Sequence, residues 1–492
     1  MTAWRLPLIF FCCLVGACAP SVDEETIEAT PQELERREYD CKPECRPAYL
    51  VKDIVPGLET SDPVDLTDVD GTLYLTTLPF PNPGGVVELW KSDGTPEGTV
   101  FIETLFLGSY LGESQYPTAV NGLFFFVAAE SGEHDIELWR SDGTPEGTFQ
   151  LKEINPMGPS YPEWLTNADG TLFFVASSGE GGPDLWKSDG TPEGTVLVKD
   201  INPGGFGGVS ILGALGGMLL LSASDDTGTR LWRSDGTPQG TVPLADIVPD
   251  LYVTAVADGK FFFVADDGLH GAEPWVSDGT SGGTRLVEDI RPGPEGSSPL
   301  SFVSVGREVF FTADDGVHGQ ELWKTSGSSG STRLVEDIHP GPANAFFSDY
   351  TQVLATANGK VFFVADDGRH GREVWVSQGR SRNTRLVEDL TPGTASSFPG
   401  YPTALVGVGK GVLFSIPNAT YGQELWRSDG TPRGTFFFQD IAPGPSASSP
   451  SWFTESGDRA FFVADDGVHG RELWALPLES LGNCFKPRPD RP

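Results

Sequence analysis

The chain has 492 residues, including 61 Gly and 40 Pro, with 38% hydrophobic and 11% aromatic content. Gly and Pro are the poorest helix formers, so a helix-rich protein is excluded. The apolar content is too high for a disordered chain, which leaves an all-β protein with many tight turns. With 33 Lys and Arg against 69 Asp and Glu, the net charge is −36. Such a chain is repelled by phosphates and anionic lipid, which excludes nucleic acid as a partner.

At the N-terminus, Arg5 precedes an apolar run over 6–17. One positive charge and a short hydrophobic stretch read as a secretory signal peptide, 1–17, too short to span a bilayer. Val15-Gly16-Ala17-Cys18 resembles the lipobox of bacterial lipoproteins. That resemblance implies cleavage before Cys18 and lipidation of it. Ala19 after the cysteine, rather than Asp, implies the outer membrane of an exported, cell-envelope protein. Residues 18–46 are charged and nearly free of aromatics, a flexible acidic tether. No later segment reaches 18 uninterrupted apolar residues, so the membrane is met through the lipid anchor only.

Apart from the signal and lipidation positions, three cysteines remain: Cys41, Cys45 and Cys484. Export permits disulfides, and three cysteines allow one intramolecular bridge. It joins Cys45 to Cys484, or Cys41 replaces Cys45, or Cys41 and Cys45 pair locally.

From residue 47 to 475 the chain repeats. A Trp recurs at 90, 139, 186, 232, 275, 323, 375, 426 and 474, at spacings of 43 to 52 residues. One well-formed unit reads Phe261-Phe262-Phe263-Val264-Ala265-Asp266-Asp267-Gly268, then His270-Gly271, then Glu273-Pro274-Trp275-Val276-Ser277-Asp278-Gly279-Thr280. Glu88-Leu89-Trp90-Lys91-Ser92-Asp93-Gly94-Thr95 resembles the signature of the ELWxxDGT repeat proteins of bacterial cell envelopes. The resemblance implies secreted or lipid-anchored repeat proteins and carries no general activity.

Each unit holds four short strands, as at 116–120, 123–128, 137–140 and 148–154. Asn-Gly or Asp-Gly turns the first hairpin, Ser-Asp-Gly-Thr turns the third, and a Pro/Gly/Ser-rich loop leads to the next unit. Four antiparallel strands repeated nine times predict an all-β fold, a single nine-bladed β-propeller over 47–475. The last unit lacks a fourth strand, and the segment 48–54 is a fourth strand without a unit. The N-terminal strand therefore completes the last blade, which also covers an otherwise open sheet edge. Residues 476–492 form a C-terminal tail containing Cys484.

Five of the six histidines sit five residues before a repeat Trp, in the turn between second and third strands. Within a unit they make clusters such as Asp266, Asp267 and His270, or Asp314, Asp315 and His318. These hold too few carboxylates for a good calcium loop, so turn architecture is the simpler reading and calcium the possible cofactor. Six of eight Ser-Asp-Gly-Thr-type turns keep Asp while all eight keep Gly, which speaks for a left-handed backbone position rather than catalysis.

Departures from the repeat are the candidate ligand contacts. They are Arg369 and Arg372, part of a basic island with Arg380, Arg382 and Arg385, and the aromatics Trp164, Tyr252, Tyr401 and Trp452. No nucleophile elbow, phosphate-cradling loop or zinc motif stands out. The reading is a monomeric, lipid-anchored extracytoplasmic propeller that binds or scaffolds a protein or polysaccharide ligand. The alternatives are a sialidase- or glycosidase-like hydrolase, whose carboxylate pair 69 acidic residues would hide, and a calcium-stabilised structural surface protein.

Overall fold

The computed structural model describes residues 46–78, 85–106, 117–130, 135–179, 181–205, 208–346, 354–399 and 405–483. Cys18, Cys41, Cys45, Cys484 and Tyr401, with the signal peptide, lie outside the described residues. The described residues form nine four-stranded antiparallel sheets. Blade 1, for example, runs Pro63–Val69, Thr72–Thr77, Val86–Ser92 and Val100–Phe106. The first strands of successive blades lie side by side, and that of blade 1 also lies against Ser451–Ser456 of blade 9. The fold is a closed nine-bladed β-propeller.

The second strands explain why the sequence makes this ring. Phe261 to Ala265 is apolar at every position and buried throughout, as expected for a strand covered on both faces. Side chains alternate between the faces. Phe261, Phe263 and Ala265 pack into the core shared with blade 4, whereas Phe262 and Val264 enter the core shared with blade 6. The Leu-Trp pair is divided in the same way. Leu138 of blade 2 meets Trp186 of blade 3, Leu425 meets Trp474, and Leu473 of blade 9 meets Trp90 of blade 1. Each repeat Trp is thus a packing residue between blades. The last pairing closes the ring.

Closure depends on the N-terminal strand Tyr49–Lys52, which pairs antiparallel with Arg471–Pro477, Leu50 opposite Trp474. Gln439 of blade 8 accepts from the Ala48 N–H at 2.8 Å and donates to the Ala48 carbonyl at 3.1 Å.

A second contact links neighbours. The residue after the repeat Trp reaches the carbonyl of the turn glycine on the next blade: Arg140 to Gly190, Lys187 to Gly236 and Arg233 to Gly279, each at 2.9 Å. In blades 5, 7 and 9 that residue is Val276, Val376 or Ala475. Its cross-strand partner on the fourth strand then supplies the donor: Arg285 to Gly327, Arg385 to Gly430, and the Tyr49 hydroxyl to Gly94. Blade 9 has no such turn, and Arg427 of blade 8 instead points its guanidinium 3.5 Å from the Ser480 carbonyl. Burial lowers the Arg427 pKa to about 10.

The structure revises some boundaries. The fourth strand of blade 2 covers only Phe149–Gln150, followed by a further backbone bond from the Leu151 N–H to the Leu138 carbonyl at 2.8 Å. The first strand there is Thr118–Val120. The last blade extends to Pro477, and residues assigned to a tail form the short helix Leu478–Asn483, whose Leu481 is buried against Ala48 and Leu413.

Candidate functional site

Antiparallel winding puts the turns between second and third strands on one face of the ring, together with the connections between blades. The other turns lie on the opposite face. Three classes of repeated acid, in the His-bearing turns, before the repeat Trp and in the Ser-Asp-Gly-Thr turns, are committed to internal bonds. By contrast, the Asp that follows the fourth strand keeps one buried oxygen without a partner among the described residues in Asp53, Asp289, Asp337, Asp389 and Asp440.

On the first face, four Asp-Asp-Gly-x-His-Gly turns share one geometry. Asp267 Oδ1 accepts the N–H groups of Leu269 and His270 at 2.9 and 3.0 Å, and Asp267 Oδ2 lies 2.8 Å from His270 Nδ1. Asp266 Oδ1 accepts from Gly268 N at 2.7 Å. Asp314, Asp315 and His318 repeat these bonds. The bonds hold Asp267 and Asp315 below the usual carboxylate range against the opposing effect of burial, and raise the His pKa values. Among the described residues, three carboxylates converge within 4.8 Å of one another at other positions, Asp135, Glu137 and Glu153.

The Glu two residues before the repeat Trp has a structural task that the sequence reading did not identify. Glu472 accepts from the N–H groups of Ile54, Val55 and Ser61 at 3.1 to 3.3 Å and from the Ser61 hydroxyl at 2.6 Å. Glu373 and Glu424 hold their blade connections in the same way. A connection that dives into the ring would otherwise leave backbone donors unpaired. Burial pushes Glu137, Glu321, Glu373 and Glu472 up to about 7, although the donors oppose the shift.

On the opposite face, Asp93 Oδ1 accepts from the N–H and hydroxyl of Thr95 at 2.8 and 2.7 Å, and Ser92 Oγ lies 2.7 Å from Thr99 Oγ1. All eight turn glycines have φ between 68° and 90°, the left-handed region that favours glycine.

The candidate ligand residues separate. Arg369 and Arg372 precede or begin the strand Arg372–Ser377, whereas Arg380 and Arg382 follow it, so the basic island is divided between the two faces. Arg385 is used in the blade contact with Gly430. Two aromatics from blades 3 and 5 do converge: Trp164 and Tyr252 approach to 5.8 Å between ring centroids, with Tyr252 72% exposed. Trp452 lies on blade 9 in a left-handed bulge like that of Trp164.

The clearest departure is in blade 4. Trp232 and Trp275 are separated by 43 residues, the shortest interval. Only Asp246 and Ile247 link Val242–Ala245 to the next blade at Val248–Ala257, and only two residues separate Met218–Asp225 from Gly228–Ser234. Two truncated loops leave a recess of about 770 Å³ lined by Thr227, Thr229, Arg230, Asp246, Val248 and Asp266, among others. Arg230 stands where blades 2 and 5 to 9 place the loop-holding Glu. With no long connection to hold, blade 4 has no use for that carboxylate. The signal was visible in the sequence as Arg230-Leu231-Trp232 against the recurring Glu-Leu-Trp.

No protein-family model matches the chain, and no curated protein sequence matches it. Among solved structures it is similar to a Mycobacterium tuberculosis puromycin-hydrolyzing peptidase, at 13% identity and a TM-score of 0.44 over 85% of this chain and 58% of that one. A puromycin hydrolase S511A mutant aligns at 15% identity and a TM-score of 0.40, over 74% of this chain and 57% of that one. Saccharomyces cerevisiae Sqt1 aligns at 8% identity and a TM-score of 0.38, over 88% and 98%. The chain thus spans less than two thirds of the two hydrolases it matches.

Proposed function

We propose that this propeller is a lipid-anchored, extracytoplasmic binding module that takes a protein or glycan ligand on the face carrying the blade connections. One observation carries the reading. The acids of the Asp-Asp-Gly-x-His-Gly turns and the Glu before the repeat Trp are hydrogen-bonded within the fold, while the departure at blade 4 opens a recess with polar groups lining it. The lipobox-like Val15-Gly16-Ala17-Cys18 supports the anchor. The Arg46 N–H, next to Cys45, donates to the hydroxyl of Ser480, four residues before Cys484, at 3.1 Å, which supports a Cys45–Cys484 bridge. Closing a loop of about 440 residues, such a bridge would stabilise by up to about 6 kcal/mol in the chain-entropy picture.

The test is incubation with an oligosaccharide and peptide panel, followed by mass spectrometry of both bound and free material. Retention of an intact ligand supports a binder. Shortened oligosaccharides in the supernatant would show a hydrolase instead.

A further inference from the structure

We propose that the blade 4 recess is a binding site for an uncharged saccharide. The inference rests on the binding reading above and names the site and the ligand chemistry.

The volume, about 770 Å³, lies within the ~300–1,000 Å³ of small-ligand sites. Its floor carries one cation held in a fixed pose. Arg230 is 21% exposed, donates from Nη2 to Asp225 Oδ2 at 2.5 Å, and lies over the Trp232 ring at 5.8 Å. Nη1 makes only a 3.4 Å contact with Asp246 Oδ1, whose side chain is 92% exposed. A guanidinium so placed keeps donor capacity for a ligand.

Around Arg230 stand acceptors. Asp246 reaches into solvent, and Asp266 uses one oxygen for its own turn and leaves the other. Thr227 and Thr229 line the recess with hydroxyls already bonded to Asp225 Oδ1 and Ser224 Oγ, at 2.5 and 2.6 Å, and keep lone pairs for a ligand donor. Beside them Val248 is half-exposed and offers an apolar surface.

This set selects by charge. An anion would meet Asp246, Asp266 and Asp267 against a single Arg, on a chain of net charge −36. A cationic side chain would be drawn by the same carboxylates but would have to sit against the guanidinium, which makes basic peptides the competing ligand. A hydroxyl both donates and accepts, so a pair of sugar hydroxyls can give to Asp246 or Asp266 while accepting from Arg230. The C–H face of the ring can rest on Val248. Tyr252, four residues along the same strand and exposed beside Trp164, gives a longer chain a second contact.

The experiment screens the full chain on an array of neutral, anionic and amino-bearing oligosaccharides together with Lys/Arg-rich peptides. Titration calorimetry then follows on the best neutral hit. Asp246→Ala, at an exposed position, should leave the melting temperature unchanged and weaken that hit tenfold or more. Val248→Trp, which fills the recess, should do the same. Arg230→Glu, which restores the repeat's carboxylate, should abolish binding, and the two exposed variants decide the matter if it fails to fold. Tyr252→Ala should weaken long oligosaccharides more than disaccharides.

A neutral hit indifferent to Asp246→Ala and Val248→Trp would overturn the recess as the site while leaving a binder. Binding of basic peptides alone, lost in Asp246→Ala, would overturn the saccharide and keep the recess. No hit of any kind would overturn both the proposal and the binding reading.

Discussion

The Asp93 carboxylate lies where a β-carbon on Gly98 would have to be. Gly98 is therefore needed for space, since its φ is outside the left-handed region, unlike that of Gly94. The same pairing holds for Asp142 with Gly147, Asp189 with Gly194, Asp235 with Gly240, Asp278 with Gly283 and Asp429 with Gly434. The two turns without the Asp also lack the Gly. Ser326 is matched by Ser331, whose hydroxyl accepts from Ser326 N at 3.2 Å, and Gln378 by Asn383, whose amide donates to it at 3.2 Å. Acid and glycine are exchanged together because one occupies the space of the other.

Gly98→Ala should accordingly destabilise by about 1–3 kcal/mol, the usual cost of overpacking. Adding Asp93→Ser and Gly98→Ser together, as in the natural blade 6 turn, should cost less than the sum of the single changes. A double-mutant cycle in denaturant checks this, with a coupling of about 0.5–3 kcal/mol expected for residues in contact. Additive single effects would contradict the pairing.

The blade-to-blade donors should be interchangeable between strands. Arg385→Ala removes the donor to the Gly430 carbonyl, and a hydrogen bond from a charged group is typically worth ~1.5–3 kcal/mol. Val376→Arg, introduced in that background, restores the arrangement of blades 2 and 4 and should recover part of the loss. Equal unfolding midpoints for Arg385→Ala and the double variant would show that the two positions are not equivalent.

Stability should fall as pH rises from 5 to 8. Glu137, Glu321, Glu373 and Glu472 titrate near 7 in the fold against an ordinary 4.5. Their folded state holds protons that the unfolded chain has released, so the contribution is fully present below 4.5 and is lost through about 7. His270, His318, His370 and His469, raised by their Asp partners, act with the same sign. Asp93, Asp142 and Asp189, held low by threonine donors, act oppositely, and their contribution is lost as pH falls below the ordinary Asp value of 3.8. Melting scans across pH 3–8 should therefore peak in the acidic range. A rise in melting temperature between pH 5 and 8 would contradict the assignment.

Much of the fold was legible because its determinants recur. The repeat Trp recurs nine times and the αL turn glycine eight, each reporting a local necessity, and the orphan strand at 48–54 reports the one unit that lacks its own fourth strand. Less was legible where the necessity is three-dimensional. That Glu472 holds backbone donors 410 and more residues earlier in the chain follows only from closure. The basic island looked continuous because Arg372 and Arg380 are close in sequence, but a strand separates them. Trp164 and Tyr252 meet although blade 4 intervenes in the chain. Arg230 was readable as a break in the Glu-Leu-Trp pattern. Its meaning depends on two loops being short at once, which appears only when they are seen on the same face.

The central claim is that the repeated acids build the ring and the blade 4 departure binds the ligand. It is tested most directly by measuring affinity for the best neutral oligosaccharide and melting temperature, side by side, for Glu373→Gln and Asp246→Ala. The expected result is a lowered melting temperature with unchanged affinity for Glu373→Gln, which replaces one of the two acceptor oxygens by an amide NH2 facing the blade-connection donors. Asp246→Ala should give the reverse, an unchanged melting temperature with affinity reduced tenfold or more. Lost affinity in Glu373→Gln at full stability, with Asp246→Ala indistinguishable from the parent chain, would contradict the claim.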